Sequence, residues 1–325
     1  MVQMSTIKNN GEILYLYDAR MCNPNGDPDD ENRPRMDMAT ETNLVTDVRL
    51  KRYIRDYLGE KGYTIFVTKA EGVVIAGDRL KQVLGKDKQP GPDDLPELLK
   101  KLIDVRMFGA TMPIKGERRG EGESLSLIGP IQFNWGYSLN RVELVDTNAI
   151  TSQFASEAQA KQGTIGRDFR VYYSLLAFHG IVSAARARLI AKAGKDEEGT
   201  ALSAADLALL DEAMLKAIPL FATRSKIGQY PRLYLRFIYK DAETFIGDLR
   251  DELAVEPERG LRSISDYKLV LDKMIPRLKR AGEKVEKVLV WQSPQLVTTA
   301  SGGDCSVKEV LEEIFGRDRV EELAV

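Results

Sequence analysis

Cysteine and histidine are almost missing from this chain. Cys22 and Cys305 stand far apart and outside any paired spacing, which excludes a disulfide framework and a cysteine-built zinc site. His179 is the only histidine, so no two-histidine metal centre can form. Its place in the apolar run FRVYYSLLAFHGIV reads as a satisfied core or interface residue. Long hydrophobic runs are lacking too, because YYSLLAFHGIVSAA is cut by Ser174, His179, Gly180 and Ser183 well short of the roughly 20 residues a membrane span needs. The opening MVQMSTIKNN has no apolar stretch of the secretory kind. These absences predict a cytoplasmic, reduced protein with no membrane partner. Neither charge sign is in surplus: 47 Lys and Arg stand against 49 Asp and Glu, a net charge of -2. Any nucleic-acid partner must therefore be held by a local basic surface. What is present suffices for folding, since 325 residues with 43% apolar side chains can fill one large domain or two ordinary ones.

Periodicity sets the organisation. Glu12 to Tyr17 alternates and reads as a half-buried strand, ended by Pro24 and the Asn25-Gly26 turn signal. Thr46 is placed to cap a helix running to about Leu58, with Gly59 as its stop. Leu50, Tyr53, Ile54, Tyr57 and Leu58 share one face of that helix, which leaves Lys51, Arg52 and Arg55 on a basic outer side with Arg49 at its edge. Residues 59–124, punctuated by Gly85, Pro90, Gly91, Pro92 and Pro96, read as an irregular insertion. Strand-like sequence resumes in SLSLIGPIQFNWGYSL and FRVYYSLLAFHGIV, on either side of the polar stretch 143–168. Ser203 and Asp206 make a capping box for a second helix, carrying Leu207, Leu210 and Met214, with Pro219 just past its end, and the strand YPRLYLRFIYK follows. The order strand, helix, strand, strand, helix, strand is the split βαβ plan of ferredoxin-like and RNA-recognition folds, an α+β class. Beyond it come an acidic tract at 241–260, a helix near 265–280 and the strand-like KVLVWQ.

The loop NPNGDPDDENRPR at 23–35 poses three alternatives: a metal site, a nuclease loop or a backbone cradle for phosphate. A calcium loop fails, because the sixth position from Asp27 is Asn32 instead of Gly and the twelfth is Met38 instead of Glu. A P-loop fails as well, since Gly72 to Gly77 is followed by Asp78-Arg79 where Lys and Ser or Thr are required. Carboxylates alone can still hold Mg²⁺, so a nuclease reading stays open at this point.

YDARMCNPNGDPDDENRPRMD followed by NLVTDVRLKRYIRDYL resembles the crRNA-binding backbone subunit of Cascade, the type I CRISPR surveillance complex. VRMFGATMPIKG, LIGPIQFNWGYSL, ITSQFAS, GTIGRDFRVYYSLLAFHGIV and TRSKIGQYPRLYLR continue the likeness over about residues 12–240, nearest in character to subtype I-B. The resemblance implies a single hand-shaped domain. An RNA-recognition-like palm would span 12–58, 125–142 and 169–240, with a finger insertion at 59–124, a thumb hairpin at 143–168 and a C-terminal extension at 241–325. It also implies copies stacked along the guide, other Cascade subunits as partners, and target DNA reached through the guide. No cofactor, metal or catalytic residue is implied. Distantly similar type III backbone subunits cut target RNA with a loop Asp and Mg²⁺, which makes Asp18, Asp27 and Asp37 the residues of an alternative RNase reading.

A subunit that grips any guide sequence needs phosphate and ribose contacts. On that ground the loop reads as the cradle, with Asn23 and Asn25 as donors and Gly26 allowing close backbone approach. Its carboxylates then turn away or bond Arg33 and Arg35. Arg49, Lys51, Arg52 and Arg55 on the first helix, Lys115 in the insertion, and Arg224, Ser225 and Lys226 in the turn before the last palm strand join the expected RNA contacts. In the thumb, Phe154 and Ile165 are the apolar wedges, with Arg167 and Arg170 holding the displaced backbone; Ile165 stands where an aromatic residue is common in the family.

Overall fold

The computed structural model describes residues 5–68, 75–114, 124–147, 149–151 and 165–324. The Tyr and Leu alternation opens β1 (Gly11–Cys22), which is longer than predicted and buried on both faces. The half-buried expectation is thereby corrected: Ile13, Tyr15, Tyr17 and Ala19 enter one core, and Leu14 and Leu16 enter another. Tyr and Leu are both apolar enough for either side, so alternation between them does not mark a wet face.

After β2 (Thr42–Val45) comes α1 (Asp47–Glu60); β3 (Ile131–Phe133) and β4 (Gly136–Ser138) follow the insertion, then β5 (Val171–Val182), α2 (Ala204–Leu220) and β6 (Gln229–Tyr239). β6, β1, β5 and β4 lie side by side in that order, all antiparallel; β3 also pairs with β5, and β2 with β4. The first strand of the expected plan thus sits between the fourth and the third. β7 (Val285–Gln292) and β8 (Val320–Glu322) widen the sheet beyond β6.

Local signals hold with two shifts. Thr46 caps α1, its Oγ1 accepting from the Arg49 N–H at 3.3 Å, but the helix passes Gly59 and ends at Glu60. The left-handed residue there is Gly62, at φ 89°, because a glycine stops a helix only where the chain turns that way. Ser203 and Asp206 exchange capping bonds of 3.2 and 3.0 Å. Pro219 lies inside the last turn of α2, where its missing N–H removes a single bond, so the helix continues to Leu220.

The insertion is more regular than its punctuation suggests. Ala76–Leu84, Leu95–Lys101 and Ile103–Phe108 are helical, and Gly109–Met112 pairs with Leu125–Ile128. Together with Ile190, Ala191 and Ala201 they enclose a separate core, with Leu80, Leu98, Leu99 and Met112 buried. Gly85 ends a helix at φ 66°, while Pro92 and Pro96 open helical turns, so the punctuation marks boundaries.

Apart from β7 and β8, residues 241–324 form the second layer of the fold. Leu269, Leu278, Leu311 and Phe315 pack against Leu14, Leu16, Leu235 and Phe237 on the sheet face away from α1 and α2. Glu12 fastens this layer. Its buried carboxylate accepts from the Tyr239 hydroxyl and bonds His179 Nε2 at 3.0 Å, and it takes the N–H groups of Ile246 and Gly247 at 2.7 and 3.0 Å. Burial alone would raise its pKa; the bonds from His179, Tyr239 and Ile246 hold it below the ordinary carboxylate value. His179 is thus the satisfied residue its sequence context indicates. Among the described residues no helix is long and apolar enough to cross a membrane.

Candidate nucleic-acid interface

β1 delivers the chain into the acidic loop at Cys22, and the loop folds mostly onto itself. Gly26–Asp27 pairs with Arg33–Pro34, with Glu31 and Asn32 turning at positive φ. A Cβ on Gly26 would lie 2.0 Å from Asn32 Oδ1. The close approach expected there is therefore filled by the loop's own Asn32, and Gly26 serves the hairpin. Asn25 is likewise engaged: its Oδ1 accepts from the N–H and the hydroxyl of Thr46, both at 2.9 Å, tying the loop to the start of α1. The carboxylates bond neighbouring cations as expected. Asp27 meets Arg35 at 2.9 Å, Asp30 and Glu31 each lie 3.8 Å from Arg33, and Glu31 also meets Arg167 at 2.7 Å.

Positive charge collects where this loop meets the turn before β6. The Asn23 N–H donates to Ser225 O at 2.9 Å, and Lys226 Nζ donates to Asn23 O at 2.6 Å. Asn23 Nδ2 is spent on Asn32 O, while its Oδ1 is buried without a hydrogen-bond partner. Arg49 approaches from α1, its guanidinium 3.9 Å from the Tyr53 ring centre and its Nε also buried without a partner. Burial pushes the Lys226 amine down to about 8, and the Arg49 charge acts in the same direction. Neither cation has a carboxylate partner among the described residues. Beside them Arg170 and Arg224 share one carboxylate oxygen of Asp168 at 2.7 and 3.1 Å, which leaves that trio with net positive charge. Two like charges half out of water, one of them with an unsatisfied Nε–H, are an arrangement that an anion would relax.

The other expected contacts lie elsewhere. The basic outer side of α1 is corrected, because the insertion covers it. Lys51 is buried and bonds Asp47 and Gln132, each at 3.0 Å. Arg55 is buried against Asp104 at 3.0 Å, and Arg52 pairs with Asp56 while donating to Val67 O. Ser225 acts through its carbonyl. Arg167 is exposed at the foot of a short hairpin in which Ala149–Thr151 pairs with Ile165–Arg167. Lys115 and Phe154 lie outside the described residues, as does the side chain of Ile165. Sequence reasoning missed Tyr53 and Gln229, whose side chains lie beside Arg49 in this corner. The available signal was Gly228 in KIGQYP: at φ 104°, with a would-be Cβ 2.3 Å from Arg20 O, it locks that turn against the end of β1.

The three aspartates of the nuclease reading are all engaged. Asp18 is buried 2.8 Å from Arg232 and accepts from the Tyr173 hydroxyl at 2.9 Å. Asp27 holds Arg35, and Asp37 accepts from Thr40 and the Ala39 N–H in an exposed turn. Among the described residues no group of three or more His, Cys, Asp or Glu side chains is placed to hold a metal ion.

Comparison with known proteins agrees with this architecture. The family described as CRISPR-associated protein Cas7 matches residues 9–272. A relative from Haloferax volcanii, named CRISPR-associated protein Cas7, is 34% identical over 306 residues, covering 88% of this chain and 87% of its own. A chain of a solved CRISPR RNA-guided surveillance complex superposes with a TM-score of 0.50 at 13% identity, covering 97% of this chain and 95% of that one. A second, from a complex in a pre-nicking state, gives 0.50 at 14%, with 90% and 96% covered. These two likenesses speak to fold. With the family match spanning most of the sequence, the chain belongs to the CRISPR-associated Cas7 family.

Proposed function

We propose that this protein is the non-catalytic backbone subunit of a type I Cascade complex, assembling in several copies along the crRNA. The observation that carries the reading is the Arg49–Lys226 pair: two cations without carboxylate partners among the described residues, at the junction of loop, helix and turn that the sequence marks as the phosphate cradle. A guide phosphate between Arg49 and Lys226 supplies the missing counter-charge and reads no base. Arg170 and Arg224 extend the same positive edge, while Lys51 and Arg55 act in the fold, holding the insertion.

In this reading the sheet with α1 and α2 is the RNA-recognition-like palm, residues 59–124 the fingers and the 149–167 hairpin the stem of the thumb. The thumb kinks the guide, and the intervening bases pair with target DNA, so specificity belongs to the guide. Other Cascade subunits cap the row of copies, since head-to-tail contacts otherwise continue without closing. The type III-like RNase reading is disfavoured by the engagement of Asp18, Asp27 and Asp37. The test is binding of single-stranded RNA measured by fluorescence anisotropy at low salt. Binding regardless of sequence is expected, with the salt slope falling by about 0.7 for each phosphate contact removed, as in Arg49→Glu. A monodisperse monomer with no RNA affinity overturns the proposal.

A further inference from the structure

We propose that the cleft around Asp18 and Arg232, on the sheet face away from α1, is a receptor for an unpaired nucleobase of the bound RNA. The inference rests on the RNA-binding reading and adds a second site to it. The cleft opens where β1 ends and β6 begins, has a volume of about 800 Å³, and is bounded on its far side by Ser263, Ile264 and Ser293.

A β-bulge builds its floor. Leu16 lies opposite Leu233 and Tyr17 opposite Pro231, so Arg232 is the extra residue on β6. With regular alternation its side chain would join Tyr234 and Arg236 on the α2 side. The bulge turns it over, bringing the guanidinium 2.8 Å from Asp18 and 5.6 Å from the ring centre of Tyr230. Such re-aiming of one side chain is a recurrent device beside binding sites. Tyr173 and Arg232 hold one oxygen of Asp18, and its Oδ1 is left without a hydrogen-bond partner.

The rim is unlike a surface that merely faces water. Tyr230 and Met21 are 47% and 45% exposed, and Arg20 makes no side-chain hydrogen bond or ion pair among the described residues. An exposed aromatic ring with a guanidinium beside it is the kind of platform on which bases of single-stranded RNA sit. Ser293 Oγ accepts from Arg232 Nη1 and the Gln295 N–H and Ser263 Oγ from Ser265, so each keeps its O–H to donate, and every base carries an acceptor for it. Arg20 adds a charge at the entrance suited to the attached phosphate.

Position links the cleft to the cradle. The Arg20 N–H bonds Gly228 O at 2.8 Å and the Asn23 N–H bonds Ser225 O at 2.9 Å. The same two backbone segments therefore carry Asn23 and Lys226 on one side and Arg20 and Tyr230 on the other. RNA rounding this end of the sheet can lay its phosphates in the cradle and turn one base into the cleft.

The experiment uses the full chain bound to a single-stranded RNA carrying 5-iodouridine, irradiated and mapped by mass spectrometry. A crosslink on the peptide containing Tyr230 is expected, and Tyr230→Ala should abolish it and weaken binding at least about fivefold. Tyr230 is exposed, so an unchanged melting temperature of the variant confirms its fold. RNA that binds with crosslinks only elsewhere, and with affinity untouched by Tyr230→Ala, overturns the cleft proposal and leaves the cradle standing. Tyr230→Ala that alters self-association while sparing RNA affinity also overturns it, in favour of a second copy of the chain as occupant. Wild-type protein that binds no RNA removes the underlying reading itself.

Discussion

Raising the pH from 7 to 9 is expected to weaken RNA binding about tenfold through Lys226 alone. Burial and the Arg49 charge hold this amine near 8, against an ordinary 10.5. A phosphate in the cradle offsets both effects and returns the amine toward its usual value. At pH 7 free Lys226 is already protonated, so binding needs no proton. At pH 9 only about a tenth of it is charged, and each binding event takes up a proton from solution, a deficit of about 1.4 kcal/mol. The linkage has a second arm of opposite sign. Lys226 has a folded-state pKa below its unfolded value, so the unfolded chain holds more protons between pH 8 and 10.5, and this residue makes stability rise across that window while RNA affinity falls. The assay is anisotropy with an oligonucleotide of adenine and cytosine alone, whose bases do not titrate there, alongside thermal melts at each pH. Lys226→Arg keeps the charge and should flatten the affinity profile. A flat wild-type profile, or the same slope in Lys226→Arg, refutes the assignment of Lys226 to the phosphate site.

Three further outcomes are expected. Asp104→Ala should cost about 3 to 5 kcal/mol in urea unfolding, because the carboxylate is buried and accepts from Arg55 and from the Phe66 and Val67 N–H groups; a loss under about 1 kcal/mol would show that the insertion is not fastened there. Deleting residues 155–163 should leave the melting temperature intact and prevent regular assembly on guide RNA, and ordered filaments seen by electron microscopy of the deletion variant would reassign the hairpin. Assembled protein given complementary RNA and Mg²⁺ should cut nothing, whereas cleavage lost on Asp27→Ala would install the RNase reading.

Much of the central sheet with α1 and α2 was legible because its signals are local. A capping threonine, a capping box and a strand that alternates need only their immediate neighbours, and Thr46, Ser203 with Asp206, and the opening of β1 all appear where the sequence puts them. The miss on β1 arose from something remote. Whether Leu14 and Leu16 face water or protein depends on Leu269 and Leu311, some 250 to 300 positions along the chain, and those residues form the core of a segment without a recognisable motif. The insertion was misread for a related reason. Its prolines and glycines looked like loop composition, yet they sit at helix boundaries, and the leucines between them join Ile190, Ala191 and Ala201 in a separate core.

The site shows the same division at finer grain. Arg49, Lys51, Arg52 and Arg55 occupy little more than one and a half turns of α1, and on spacing alone they form one basic surface. The fold separates them by what lies across from each. Asp104, 49 residues further on, claims Arg55; Gln132, 81 further on, shares Lys51 with Asp47; Val67 O and Asp56 take Arg52. Arg49, one turn nearer the start of the helix, meets Lys226 instead of an acid. An ion pair with a buried carboxylate removes a cation from the surface, while an approach by a second cation leaves both needing an anion. Which arginine is paired and which is left without an acid is thus decided by the insertion and by the turn before β6, which set where carboxylates fall. Charge counting along one helix cannot contain that difference, and of the four cations on α1 Arg49 alone has no carboxylate partner among the described residues.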